Sequence, residues 1–111
     1  MTAATVVVGV PTYRRPDDLV ALLPLLLEQA DDLPGHRVDV LVVDNDPAGS
    51  ARAVVDTLRD RGDDDRLRYA HEPTPGIASV RNRILDVATD DLGADLVAMI
   101  DDDERPRPGW L

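Results

Sequence analysis

Runs of aliphatic residues alternate along this chain with segments in which apolar side chains recur every three or four positions. Continuous β-branched or aliphatic runs predict strands buried on both faces, and residues 5–10, 38–44 and 94–100 have this composition. Residues 66–72 instead alternate apolar and polar side chains, which is typical of a strand nearer the edge of a sheet. The pattern therefore predicts four strands.

Three helices are predicted between these strands. The first begins near residues 16–18, where a proline and early acids suit a helix N-terminus, and continues to about Ala30, with Pro24 predicting a kink or an early stop. The second opens at Pro47 and continues to about Arg61, with Asp46 as a candidate cap. The third covers residues 77–89, and its apolar face carries Ile77, Val80, Ile84, Val87 and Ala88.

This alternation of strands and helices predicts an α/β fold with a mostly parallel sheet and right-handed crossovers. At 111 residues the chain has the length of a single small domain, residues 1–111. Three helices cover four strands thinly on one face, and the chain ends at Leu111 without a closing helix or strand. We therefore expect a domain truncated at its C-terminus, or a partner chain or second copy that covers the incomplete sheet.

Composition narrows the classes of function. Hydrophobic residues make up 43% and aromatic residues 3%, so the core is expected to be aliphatic. All 12 basic residues are arginine, and the net charge of -10 argues against nucleic-acid binding. The absence of cysteine excludes a thiolate nucleophile and a cysteine zinc site.

The sequence also predicts where the protein is located. The N-terminus does not resemble a signal peptide, and the apolar run at residues 19–27 is too short to span a bilayer. A soluble cytoplasmic protein is therefore expected.

Polar side chains follow each of the four predicted strands. Because parallel strands bring their carboxyl ends to one edge of a sheet, ligands of open α/β sheets bind in the crevice at that edge. The sequence therefore predicts that side chains from four separate segments converge there. The residues concerned are Pro11 to Arg14, Asp44 to Asp46, Glu72 with the following turn, and Asp101 to Glu104.

Two acidic runs provide a comparison within the chain. Residues 63–65 precede a strand beside Gly62, so they are expected at the opposite edge as a solvated turn. Residues 101–104 follow a buried strand, where repulsion between carboxylates would be relieved by a divalent cation such as Mg²⁺ or Mn²⁺. Asp101 and Asp103 share one side of an extended stretch, an arrangement known as a D-x-D motif.

Four ordered segments resemble the successive motifs of family 2 glycosyltransferases with the GT-A fold: "VVVGVPTYRRPDDL", "VLVVDNDP", "PGIASVRNRIL" and "VAMIDDDERPRPGWL". The resemblance covers nearly the whole chain. It implies a Rossmann-like three-layer sandwich that binds a nucleotide-diphosphate sugar (UDP-, GDP- or dTDP-linked). The sugar is transferred to an acceptor, with Mn²⁺ or Mg²⁺ at the D-x-D motif.

The resemblance also assigns nucleotide-binding roles by position. Asp44 resembles the acid that hydrogen-bonds the base. Gly76, Arg81 and Asn82 resemble the turn and helix whose arginine lies against the nucleotide. The loop that borders the nucleoside is matched by Pro11, Thr12 and Tyr13, with Arg14 or Arg15.

The acidic segment carries the remaining assignments. Asp101 and Asp102 resemble the ribose and first metal-shell positions, and Asp103 resembles the main metal ligand, with Asp101 as its partner. Three consecutive aspartates leave the register of the motif open by one residue. Inverting members of the family carry the general base after this segment, and no residue here matches it.

Alternative interpretations stay open for single residues and for the chain. Asp44 can cap a helix, Arg81 can pair with a surface acid, and Asn82 can lie on a helix surface. The chain can also be a noncatalytic fragment or pseudoenzyme that keeps the fold. A receiver-like, Mg²⁺-binding signalling domain is a remote alternative, since it would need a lysine and a fifth βα unit that the chain lacks. A dehydrogenase would need a GxGxxG motif and a P-loop protein a GKS or GKT sequence, and the chain has neither.

Overall fold

Strands and helices alternate along the chain as the hydrophobic pattern predicts. The computed structural model describes residues 4–33, 35–62 and 65–111. In chain order the elements are β1 (Thr5–Thr12), α1 (Pro16–Asp31), β2 (Arg37–Asp44), α2 (Arg52–Gly62), β3 (Leu67–His71), α3 (Ile77–Asp86) and β4 (Leu96–Met99). A π-helical turn, Val87–Asp91, continues directly from α3.

The four strands form one parallel sheet in the order β3-β2-β1-β4. Thr12 of β1 pairs with Asp44 of β2, and Asp44 pairs with His71 of β3. Gly9 pairs with Met99 where β4 ends. The α/β class, the parallel sheet and the edge position of β3 are confirmed, and the carboxyl ends of all four strands lie at one edge.

Helices α1 and α2 cover one face of the sheet. Val8 and Val10 of β1, together with Val40 and Val42 of β2, pack against these helices because alternate residues of a strand share a face. The buried side chains of α1 follow a helical spacing: Leu19, Leu22, Leu23, Leu26 and Ala30.

The opposite face is covered by α3 and the π-helical turn. Gly9 lies on this face, and a Cβ atom placed there would come within 2.4 Å of Ile84 Cγ2. The absence of a side chain at Gly9 therefore allows α3 to approach the sheet closely. The buried residues of this second cluster are Val7, Leu41, Val43, Val80, Ile84 and Ala88.

The predicted bounds of the first helix are confirmed, and the predicted start of the second needs correction. Helix α1 runs through Pro24 to Asp31, so the alternative of an early stop is wrong, because Pro24 and Val20 lie on its exposed face, where water can replace the missing amide donor. Helix α2 begins at Arg52 and not at Pro47. Residues 46–51 are instead held in turns by hydrogen bonds to the carboxylates of Asp44 and Asp46.

Three smaller predictions are also corrected. Strand β1 continues past Pro11 to Thr12, because Pro11 still aligns with Val43 of β2. Strand β4 is an edge strand and is not buried on both faces, since Leu96 is 61% exposed. Ile77, expected on the core face of the third helix, is 62% exposed.

The C-terminal segment (residues 105–111) lies along α1 without forming a helix or strand. The guanidinium group of Arg105 pairs with Asp18 at 3.1 Å. The Gln29 amide group donates to the Arg107 carbonyl at 2.8 Å and accepts from the Leu111 N–H at 2.9 Å. These contacts attach the segment to α1, and Leu111 packs against the core cluster beneath that helix.

The described part of the chain contains no helix that is both long enough and apolar enough to cross a bilayer. Most of the acidic run at residues 63–65 lies outside the described residues, since neither Asp63 nor Asp64 is described. Asp65 is exposed and precedes β3, at the edge opposite the carboxyl ends of the strands.

Candidate functional site

A cavity of about 310 Å³ opens where β1 and β4 end. Its lining combines the loop after β1, the first residue after β2, the start of α3 and the acidic segment after β4. The convergence predicted for the ends of β1, β2 and β4 is therefore present in the structure. The lining residues are Pro11, Thr12, Tyr13, Arg15, Asn45, Ile77, Val80, Asp101, Asp102 and Asp103.

A buried hydrogen bond joins the last residue of β1 to the acidic segment. Thr12 Oγ1 donates to Asp102 Oδ2 at 2.9 Å, and both residues are buried. Burial raises the pKa of Asp102 above its ordinary value, and it outweighs the opposing effects of the Thr12 hydrogen bond and the Arg15 charge. Asp102 therefore holds the acidic segment against the end of β1 and has little carboxylate surface left for a ligand.

The flanking acids Asp101 and Asp103 are exposed and line the cavity. Asp103 Oδ2 lies 3.1 Å from Arg15 Nη1. The Asp101 N–H donates to Glu104 Oε1 at 2.9 Å, so Glu104 closes the turn and does not line the cavity. Of the acids in this segment, Asp101 and Asp103 are thus the two that are exposed and also line the cavity.

Asp44 is fully buried and does not line the cavity. Its carboxylate accepts hydrogen bonds from the N–H groups of Asp46 and Ala51 and from the Tyr69 hydroxyl, each at 2.9 Å. Burial, and to a smaller extent this contact with the Asp44 carboxylate, raise the pKa of Tyr69 well above its ordinary value. The structure therefore gives Asp44 the capping role that the sequence left open, and its contact with a base stays a prediction.

Asn45 lines the cavity instead. Its N–H donates to the Thr12 carbonyl at 2.9 Å, and its side-chain Nδ2 donates to the carbonyls of Glu72 and Thr74 at 2.7 and 2.9 Å. Since these contacts use both amide hydrogens, Oδ1 is left as an acceptor. Asn45 was seen in the sequence only as one polar group at a strand end, because its orientation depends on carbonyls from a distant loop.

The two adjacent arginines of the first loop have different partners. Arg14 adopts a positive φ of 54°, and its guanidinium group lies 5.0 Å from the centre of the Tyr13 ring. Arg14 Nε also lies 3.2 Å from Asp46 Oδ1. Arg15, which the sequence offered as the alternative to Arg14, is the one that lines the cavity.

The residues expected from the third helix lie outside the cavity lining. Gly76 has a φ of 111° immediately before α3, a conformation that favours glycine. Arg81 and Asn82 are exposed on α3 and do not line the cavity. Ile77 and Val80 of the same helix line it instead, and no sequence signal distinguished Ile77 from a core residue.

Glu72 also departs from its expected place at the cavity. It is buried beside the site, where the Thr74 N–H donates to it at 3.0 Å and Arg83 Nε lies at 3.3 Å. These contacts hold the pKa of Glu72 below its usual range. Glu72 therefore fixes the turn that precedes α3.

The raised pKa of Asp102 leads to a pH-dependent prediction. A group that binds its proton more tightly in the folded chain contributes stability that is lost as pH rises through its folded pKa. Asp102→Asn keeps an acceptor for Thr12 and cannot ionise. We therefore expect the stability of this variant relative to wild type to increase between about pH 3 and about pH 6. Urea unfolding at both pH values measures this, and a difference independent of pH would contradict it.

Comparisons with known proteins match this chain over nearly its whole length. The model of the family described as glycosyl transferase family 2 matches residues 7–111. The chain is also 41% identical over 105 residues to the succinoglycan biosynthesis protein ExoM of Rhizobium meliloti (strain 1021). That alignment covers 94% of this chain and 31% of ExoM, so the chain spans about a third of this curated relative.

Proposed function

The chain belongs to glycosyltransferase family 2, and from that membership we propose that its cavity binds the nucleotide portion of a nucleotide-diphosphate sugar. The bound sugar would be the one transferred to an acceptor. The observation that carries the proposal is that the loop after β1 and the acids after β4 line one cavity. The proposal concerns donor binding, since the acceptor site and the general base are assigned to no residue.

The size and lining of the cavity support a nucleotide. Its volume of about 310 Å³ is at the lower end of the range for small-molecule sites, which suits a nucleotide better than a whole sugar nucleotide. Pro11, Ile77 and Val80 supply apolar surface, and Tyr13 supplies an aromatic ring. Such surfaces suit the faces of a base and ribose.

Asn45 is the residue that we propose to meet the base. It lines the cavity with a side-chain carbonyl that is free to accept a hydrogen bond from a base N–H. The Asp44 carboxylate already accepts three hydrogen bonds at its buried position. A base contact by Asp44 would have to use its remaining lone pair.

The acidic segment fits a Mn²⁺ or Mg²⁺ ion that is shared with the substrate. Asp101 and Asp103 offer carboxylate oxygens at the cavity, and hard divalent cations prefer oxygen ligands. Among the residues that the structure describes, no group of three or more His, Cys, Asp or Glu side chains is arranged to hold a metal. The protein would therefore supply one or two ligands, as is usual for Mg²⁺ bound with substrate phosphates. When bound, the ion would neutralise the charge of the diphosphate.

Calorimetry tests the donor proposal directly. We expect the chain to bind at least one of UDP, GDP and dTDP in the presence of Mn²⁺ and to bind it more weakly without the metal. Asp103→Ala should lower the affinity of the Mn²⁺–nucleotide complex about tenfold or more, because a charged ligand is lost. Asp65→Ala is the matched control, since it removes an exposed aspartate at the opposite edge of the sheet.

Two results would contradict the proposal. One is the absence of metal-dependent binding for all three nucleotides. The other is an equal loss of affinity in Asp103→Ala and Asp65→Ala, which would show that general charge and not the cavity determines binding.

A further inference from the structure

Arg15 bridges the two acids that follow Asp101. Its Nη1 atom lies 3.1 Å from Asp103 Oδ2 and 3.8 Å from Asp102 Oδ1. The Asp102 carboxylate is held by Thr12, whereas Asp103 is exposed. The guanidinium group of Arg15 therefore serves as counterion to the acid that the proposed function assigns to the metal.

The backbone of Arg15 is fixed while its side chain is accessible. The Arg15 carbonyl accepts the N–H of Leu19 at 3.2 Å, and Pro16 follows as the first residue of α1. The Arg15 side chain is 51% exposed, and ion pairs at such positions are weak. The guanidinium group can therefore change partners by side-chain rotation, without movement of the loop or the helix.

The charges around the cavity favour a change of partner by Arg15 when a diphosphate enters. The lining contains three aspartates, and Arg15 is the positively charged member of the lining in the part of the chain described. The neighbouring Arg14 pairs with Asp46. A cation that binds Asp103 would displace Arg15 from the carboxylate, and the released guanidinium group would lie beside the position of the incoming phosphates. Guanidinium groups bind phosphate oxygens well.

We propose that Arg15 exchanges partners when the donor binds: it neutralises Asp103 in the free chain and binds the diphosphate once a divalent cation has taken Asp103. This inference rests on the proposed function. It makes Arg15 a competitor of the metal when no nucleotide is present and a ligand of the nucleotide when the metal is present. The two roles have opposite signs in binding experiments, so they can be measured separately.

The test compares wild type with Arg15→Gln, Arg15→Lys and Arg59→Gln. Arg59→Gln is the control, because it makes the same change of charge on α2, whose residues do not line the cavity. The first measurement is Mn²⁺ binding without nucleotide, which is monitored by the electron paramagnetic resonance signal of the Mn²⁺ that stays free. The second is calorimetry at saturating Mn²⁺ with whichever of UDP, GDP and dTDP wild type binds most tightly, with the corresponding nucleoside for comparison.

Arg15→Gln should bind Mn²⁺ about two- to fivefold more tightly than wild type, because a weak competing ion pair is removed. It should bind the nucleoside diphosphate about tenfold or more weakly, because a charged hydrogen bond is lost, and the nucleoside with unchanged affinity. Arg15→Lys should recover most of the diphosphate affinity, and Arg59→Gln should match wild type.

Other outcomes overturn the inference. If Arg15→Gln binds both Mn²⁺ and the diphosphate as wild type does, Arg15 has neither role. If it binds both more weakly, Arg15 positions Asp103 for the metal and does not compete with it. Failure of Arg15→Lys to recover affinity would show that charge is not what Arg15 supplies.

If wild type itself binds no nucleotide with Mn²⁺, the proposed function is contradicted, and the exchange by Arg15 is contradicted with it. Circular dichroism of each variant checks that the fold is kept.

Discussion

Asp44→Ala is expected to lower the free energy of unfolding by about 3–5 kcal/mol, because three hydrogen-bond donors lose their acceptor, at a cost of about 1–3 kcal/mol for each buried donor left unpaired. The substitution leaves the N–H groups of Asp46 and Ala51 without their acceptor in a buried setting. It also removes the partner of the Tyr69 hydroxyl. Because these contacts hold the turn that leads into α2, we expect the entry to that helix to loosen as well.

Urea unfolding of the two proteins at neutral pH measures this loss. Asp103→Ala is the control, because its carboxylate is exposed and exposed ion pairs contribute about 1 kcal/mol or less. A loss in Asp44→Ala no larger than in the control would show that the buried contacts of Asp44 do not stabilise the fold. A large loss would show that Asp44 stabilises the fold, whether or not its carboxylate also contacts the base of a nucleotide.

Gly9→Ala is expected to destabilise the chain by about 2–3 kcal/mol, the upper part of the range for overpacking a core. The new methyl group would lie 2.4 Å from Ile84 Cγ2 if nothing moved. Gly9 is paired on both sides, with Leu41 of β2 and Met99 of β4, so the strand has little freedom to shift. Helix α3 would have to move away from the sheet.

A double-mutant cycle with Ile84→Ala isolates this contact. Ile84→Ala alone should cost about 2–5 kcal/mol, as is usual for truncating a buried isoleucine. In that background Gly9→Ala should cost about 1 kcal/mol or less, since the opposing methyl group is gone. Additive effects in the cycle would mean that close approach of α3 is not why glycine occupies this position. Urea unfolding of all four proteins gives the coupling energy.

The architecture was predictable because it depends on local pattern. Aliphatic runs such as residues 38–44 form interior strands in any parallel sheet, and parallel strands bring the residues that follow them to one edge. The position of Thr12 beside Asp102 follows from that rule, although the residues are far apart in the chain. Strand β4 was predicted to be buried on both faces and is an edge strand instead, because an apolar run does not show whether a strand has neighbours on both sides.

The details of the site depend on contacts between distant segments, and the sequence alone could not supply them. Asp44 caps the entry to α2 because Ala51 returns to it through a set of turns, which moves the start of the helix to Arg52. The choice between Arg14 and Arg15 was open in the sequence, because adjacent arginines in a loop have the same local pattern. The positive φ of Arg14 accompanies the divergence of the two side chains, one toward Asp46 and the other toward the cavity.

The C-terminal segment carries Trp110, the chain's one tryptophan, which is 38% exposed. Its backbone N–H donates to the Arg107 carbonyl, within the stretch that Gln29 attaches to α1. Intrinsic tryptophan emission therefore reports the attachment of this segment, whereas far-ultraviolet circular dichroism reports the helices and the sheet. If the segment detaches before the core unfolds, the two signals will follow different transition curves, and fluorescence alone will understate the stability of the domain.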